Sequence, residues 1–176
     1  MENNKINIAE ILKDCPKGTT LYSPLFGEVE LISVDANKLR SITTRDRYTR
    51  LRRFTYNGAY EGAYIDTECM LFPSFEMRDW RRFFKRGDII HSTQEISVFE
   101  SWTDDSYTEF NVTLHCESEE LIFDYFEDGP ELNDQFCYLA SDKTRTEFIA
   151  AAEKYYHGKY NPETLQVEPY TEGGSE

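Results

Sequence analysis

The chain has 176 residues, 39% hydrophobic and 15% aromatic, with 33 acidic against 19 basic side chains and a net charge of −14. That length suits one domain or two very small ones, and so high a share of rings suits thin cores in small β units. The negative charge argues against general affinity for nucleic acid or an anionic membrane surface, and no apolar run is long enough to span a bilayer.

Asn7 is placed to cap a short helix, with Ile8, Ile11 and Leu12 on one face and Pro16 and Gly18 ending it. The period then changes. TTLYSPLFGEVELISV reads as two strands punctuated by Pro24 and Gly27. KLRSITT, RYTRLRRFTY and GAYIDTECMLF read as three more, with Asn57-Gly58 as a tight turn. Strands so closely spaced predict a small closed barrel of SH3-like or OB-like type.

SFEMRDWRRFFKRG reads as a helix capped by Ser74, carrying Met77, Trp80 and Phe84 and stopped at Gly87. Strands return in EISVFESW, YTEFNVTLHCE, LIFDYF and FCYLA, with Asp104-Asp105-Ser106 as a turn and EDGPELND as a polar loop. Phe110, Val112, Leu114 and Cys116 alternate with polar residues, which predicts one half-buried strand face. The last helix starts at Ser141 or Asp142, presents Phe148, Ile149, Ala152 and Tyr156 on one side, and ends at Gly158. A closing strand in NPETLQVEPY and a disordered tail, TEGGSE, complete the chain.

Several landmarks recur at a nearly constant interval. Gly87 stands 69 residues after Gly18, and Cys137 stands 68 after Cys69. LFPS and YLAS each introduce a helical pattern. The expected fold is therefore α+β, with two tandem small antiparallel β-barrel-like units, each preceded by a short helix, and a C-terminal capping helix. The expected boundaries are 1–74 and 75–141 for the units, 142–168 for the final helix and strand, and 169–176 for the tail.

Catalytic patterns are missing. The four cysteines form no CxxC pair, and no GxSxG, SxxK, GxxxxGK[ST] or GxGxxG occurs. His115 and Cys116 are adjacent on a predicted strand, so they point to opposite faces and cannot share a metal. No cofactor, metal or catalytic residue is assigned. Cys69 and Cys137 read as core residues amid Met, Leu, Phe and Tyr. The N-terminus has no basic segment before an apolar one, so no signal peptide is expected and the location is cytoplasmic.

Charge is distributed unevenly. Residues 38–53 carry seven Lys or Arg against Asp46, whereas residues 87–142 contain no Lys or Arg. Arg45, Arg47, Arg50, Arg52, Phe54 and Tyr56 form a candidate binding set, with Arg50, Arg52, Phe54 and Tyr56 sharing strand parity. Arginines with aromatics on a small barrel suit single-stranded nucleic acid or a nucleotide: guanidinium to phosphate, ring to base. Asp104, Asp105, Glu117, Glu119, Glu120, Glu127 and Asp128 form the matching acidic surface, available to a basic partner, to the basic stretch itself or to a homodimer.

ILKDCPKGTTLYSPLFGEVEL together with CMLFPSFEMRDW resembles a group of uncharacterised proteins of gut Bacteroidetes and their phages. In that group an opening of the type ILKDCPxGTxLYSPxFGxVxF precedes a CxLFPS…RDW segment. The resemblance implies a phage or mobile-element setting and carries no catalytic residues. The preferred expectation is a non-enzymatic module that engages a protein partner through its polarised surface and aromatics such as Tyr22, Tyr48, Tyr60 and Trp102. The alternatives are a nucleic-acid binder using residues 38–56 and a hydrolase using a carboxylate pair.

Overall fold

Asn7 Oδ1 accepts the amide of Glu10 at 3.1 Å and starts helix α1, Ile8–Leu12. The helix buries Ile8, Ala9 and Leu12. Full burial of each large aliphatic side chain contributes roughly 1.5–3 kcal/mol. The computed structural model describes residues 6–60, 68–92, 95–117, 122–125 and 137–170. It divides the chain into one unit of Met1–Trp80 with Asp105–Tyr107 and another of Arg81–Asp104 with Thr108–Glu176.

In the first unit β1 (Thr20–Ser23), β2 (Gly27–Val34), β3 (Ile42–Asp46) and β4 (Leu51–Phe54) form an antiparallel sheet in the order β1-β2-β3-β4. Leu21, Val29, Leu31, Ile42 and Phe54 face its core. The sheet is an open meander, which corrects the expected closed barrel. Each edge gains one bridge, Tyr22 to Phe72 and Phe54 to Tyr60. Pro73, next after Phe72, has no N–H with which to extend the ladder.

In the second unit β5 (Ile89–His91), β6 (Glu95–Trp102), β7 (Phe110–Glu117), β8 (Phe123–Tyr125) and β9 (Tyr138–Leu139) form an open sheet in the order β8-β7-β6-β5-β9. Sequence reading missed β5. Ser141 caps α2, Asp142–Tyr156, by accepting the amide of Thr144, and His157 ends it in the left-handed conformation. The expected single closing strand is a hairpin of β10 (Gly158–Asn161) and β11 (Gln166–Pro169).

The helix expected over residues 75–84 does not form; only a 3-10 turn, Trp80–Arg82, is present. Trp80 is anchored in the first unit, its Nε1 donating to Leu71 O at 2.8 Å. Phe84 packs in the second unit against Phe99 and Phe110. Residues serving two cores cannot share one helical face, so tertiary packing overrides the local periodicity.

Strand β7 was expected to bury one continuous face. All four apolar residues are buried, but Phe110 and Val112 join Phe84, Ile90 and Phe99, while Leu114 and Cys116 join Ile89, Val98, Phe123, Phe148 and Ala152. Register shifts against β6 lie between Ser97 and Phe99 and between Phe99 and Ser101, and the adjacent residues Ile89 and Ile90, like Val98 and Phe99, fall in different clusters. The second sheet therefore carries apolar clusters on both faces.

The two units share a plan. Pro16–Thr19 and Lys85–Asp88 are equivalent turns, closed by Thr19 N to Pro16 O and Asp88 N to Lys85 O. Gly18 and Gly87 hold φ of 92° and 88° at the third position, where a side chain would be strained. Gly18 N then bonds Leu31 O, and Gly87 N bonds Phe99 O. Thr20 pairs with Glu30, Leu21 with Val29 and Tyr22 with Glu28; Ile89 pairs with Val98, Ile90 with Ser97 and His91 with Ile96.

Candidate functional site

The shared register shows where the units differ. In β1 and β2 Leu21, Val29 and Leu31 point inward, so Thr20, Tyr22, Glu28 and Glu30 point outward. At the corresponding positions the second unit has Ile89, His91, Ile96 and Val98. Ile89 and Val98 are buried beneath Phe148, Ala152 and Leu165 from α2 and the C-terminal hairpin. The equivalent face of the first sheet is polar, and Glu28 and Glu30 are exposed.

Two cavities lie on that face. One, of about 370 Å3, is lined by Thr20, Glu28, Glu30, Arg45, Arg47 and Thr49 among others. The other, of about 360 Å3, is a groove floored by Tyr22, Pro73 and Phe75 and rimmed by Glu28, Glu76 and Asp105. Thr20 and Glu28 line both.

The first cavity adjoins the β3–β4 hairpin. Asp46 organises this turn: Oδ1 accepts the amides of Tyr48 and Arg50 at 2.9 and 3.0 Å, and Oδ2 accepts Arg52 Nε and Nη2 at 2.9 and 2.8 Å. Burial pushes the Asp46 carboxyl up, but the Arg50 amide, the Arg52 guanidinium and the Tyr48 amide outweigh it and hold the group below its ordinary value. Thr49, at φ 64°, completes the turn. The turn therefore occupies residues 47–50, inside the expected strand RYTRLRRFTY, and the expected break at Arg45 and Asp46 is the end of β3.

This placement divides the predicted basic set. Arg47 and Arg50 are exposed and flank the Tyr48 ring at 4.7 and 6.0 Å, Tyr48 itself being 61% exposed. Arg45 is half-buried and lines the first cavity. Arg52 is held by Asp46 and stands 4.1 Å over the Phe26 ring. Phe54 is fully buried, and Tyr56 is exposed in the following turn. Arg52 and Phe54 do share a face, but it is the inner one. Phe54 is therefore a core ring and Arg52 part of the turn, not members of the expected exposed binding face.

Of the residues lining the groove, only Tyr22 and Asp105 were expected binding residues; Ser74 and Ser106 were expected only as a helix cap and a turn residue. Tyr22 and Phe75 meet edge to face at 5.4 Å. Arg78 lies 5.2 Å from Tyr22 and 4.9 Å from Phe75. Ser74 Oγ donates to Ser106 O at 2.5 Å, and Tyr107 donates its hydroxyl to Thr20 O at 3.1 Å. These bonds fix Asp105 at the rim. Burial pushes the Tyr107 hydroxyl up to about 12. The nearest sequence signal is LFPSF, an apolar run interrupted by a proline that cannot continue the ladder, after which Phe75 stands exposed.

Asp104, Asp105 and Glu117 are exposed, and Asp105 lines the groove. Glu119, Glu120, Glu127 and Asp128 lie outside the described residues, as do the EDGPELND loop and the TEGGSE tail. Of the named aromatics, Tyr48 is exposed and Tyr22, Tyr60 and Trp102 are half-buried. His115 is half-buried with Nδ1 out of water. Cys137 is buried; Cys69 is half-buried and donates Sγ to Leu71 O at 2.9 Å. Among the described residues no group of three His, Cys, Asp or Glu could hold a metal ion, and no helix is long and apolar enough to cross a membrane. No family model, curated protein or solved structure matches the chain.

Proposed function

We propose that this chain is a non-enzymatic binding module whose ligand is another protein, met on the outer face of the first sheet. One observation carries the reading. The second sheet covers the equivalent face with its own helix and hairpin, whereas the first leaves it exposed and places both cavities on it. The phage or mobile-element resemblance supplies the setting, so the partner is sought in lysate of a gut Bacteroidetes species. The matched turns and registers further support descent of both units from one duplicated unit.

The test compares capture from that lysate by the wild-type chain and by a Glu30→Arg/Arg45→Glu variant, with mass spectrometry and nucleic-acid staining. A protein retained by the wild type and lost by the variant is expected. Identical capture by both, or capture of nucleic acid alone, overturns the reading.

A second reading has its own support. The exposed Arg47–Tyr48–Arg50 stack presents two guanidinium groups around one ring, an arrangement that suits a phosphate and a base. Titration of labelled single-stranded oligonucleotide at low and moderate salt tests it, using Arg47→Glu and Arg50→Glu. Affinity unchanged by those substitutions or by salt removes the reading.

A further inference from the structure

We infer that the groove of Tyr22, Pro73 and Phe75 takes an extended, basic segment of a protein partner, in which an arginine or lysine stands next to proline or another apolar residue. The inference rests on the protein-binding reading above and names the partner's chemistry.

The groove measures about 360 Å3, room for one or two side chains and not for a folded domain. Its floor is aromatic, with Phe75 61% exposed. Aromatic-lined grooves suit extended, proline-containing segments, whose preformed backbone has little entropy left to lose on docking and so offsets a small contact area. Strand addition is unavailable here, because Tyr22 N and O are both bonded to Phe72 at 2.8 Å. Recognition must therefore run through side chains.

The charge decides which side chains. Glu28, Glu76 and Asp105 line the groove, and no lysine or arginine does. None of the three carboxylates has an ion pair among the described residues. The rings already hold a cation from the chain itself, since the Arg78 guanidinium lies over Tyr22, Phe72 and Phe75. A second cation entering from the open side would meet ring faces and carboxylates together, a combination that favours a guanidinium or ammonium. An acidic segment or a phosphate backbone would meet three carboxylates at close range and be repelled.

The test is selection of a random dodecapeptide library on the full chain, followed by fluorescence titration of the best synthetic peptide. Enriched peptides are expected to carry Arg or Lys beside Pro, Leu or an aromatic. Their affinity should fall at least about tenfold in Phe75→Ala and in the Glu28→Lys/Glu76→Lys/Asp105→Lys variant, and should weaken with salt. All four positions are at the surface, and circular dichroism confirms the fold of each variant. Acidic or charge-indifferent winners, no enrichment, affinity unchanged in both variants, or displacement by an oligothymidylate would each overturn the inference. If lysate capture still depends on Glu30 and Arg45, the protein-binding reading survives that failure. If capture does not depend on them, that reading falls by itself.

Discussion

Arg52 donates both Nε and Nη2 to a single carboxylate oxygen of Asp46, whose other oxygen receives two backbone amides of the same turn. One side chain thus satisfies four donors and sets the path of the β3–β4 hairpin. Asp46→Asn keeps the shape and removes the charge, and is expected to lower the melting temperature by several degrees at pH 7. The sign with pH follows from the lowered native pKa. The stabilisation is present above the ordinary aspartate value of about 3.9 and is lost as pH falls through the lower native value. Melting curves of both proteins from pH 7 to pH 2.5 should converge at the acid end. A constant gap would show that charge is not the cause.

The covered and open faces predict opposite responses at paired positions. Val98 is fully buried under α2, and Glu30 occupies the corresponding place in the first sheet, exposed. Val98→Glu buries an unpaired carboxylate and is expected to cost at least about 3 kcal/mol in urea unfolding. Glu30→Val should change stability by less than about 0.5 kcal/mol. A large effect at Glu30 would mean that the outer face of the first sheet is not open.

Gly158 is a position of close approach. A Cβ there would stand 2.2 Å from the carbonyl oxygen of Glu168 on the partner strand. Gly158→Ala must push β10 and β11 apart, at a cost of about 1–3 kcal/mol. Thermal unfolding measures it; a variant as stable as wild type would mean that the hairpin closes more loosely.

The thiols should separate by accessibility. Cys116 and Cys137 are buried, while Cys15 and Cys69 are half-buried. With a thiol reagent at pH 8, Cys15 and Cys69 should react in the folded protein, Cys69 more slowly because burial pushes its thiol up. Cys116 and Cys137 should react only after unfolding.

Alkaline pH provides a further check. Burial pushes the Cys116 thiol up to about 11 and the Tyr107 and Tyr156 hydroxyls up to about 12. Raised values favour the folded state while the groups stay protonated. Stability is therefore full below the ordinary thiol value of about 8.5 and is lost as pH rises through the native value. Cys116→Ala should flatten the melting temperature between about pH 8.5 and 11, leaving a later decline from the tyrosines. An unchanged profile would place that thiol in water.

Local chemistry was enough for the sequence to specify α1 with its Asn7 cap, β1 and β2 around Pro24 and Gly27, β6, β7 and α2 with its Ser141 cap, because each is set by neighbours in the chain. The interval between Gly18 and Gly87 was legible for the same reason, since a positive φ at one turn position is a demand on one residue. Tertiary structure alone decided the rest. Met77, Trp80 and Phe84 had helical spacing, but Trp80 and Phe84 are claimed by different cores, so no helix forms. Arg52 and Phe54 had the parity of a binding face, and only the packing of Phe26 and Asp46 shows that face to be the inner one. The groove joins Tyr22, Phe75 and Asp105, which are far apart in the chain and meet because Ser74 and Tyr107 bond distant backbone carbonyls. A site built by long-range hydrogen bonds leaves no periodic trace in the sequence, and the exposed face of the first sheet became visible only beside the covered face of the second.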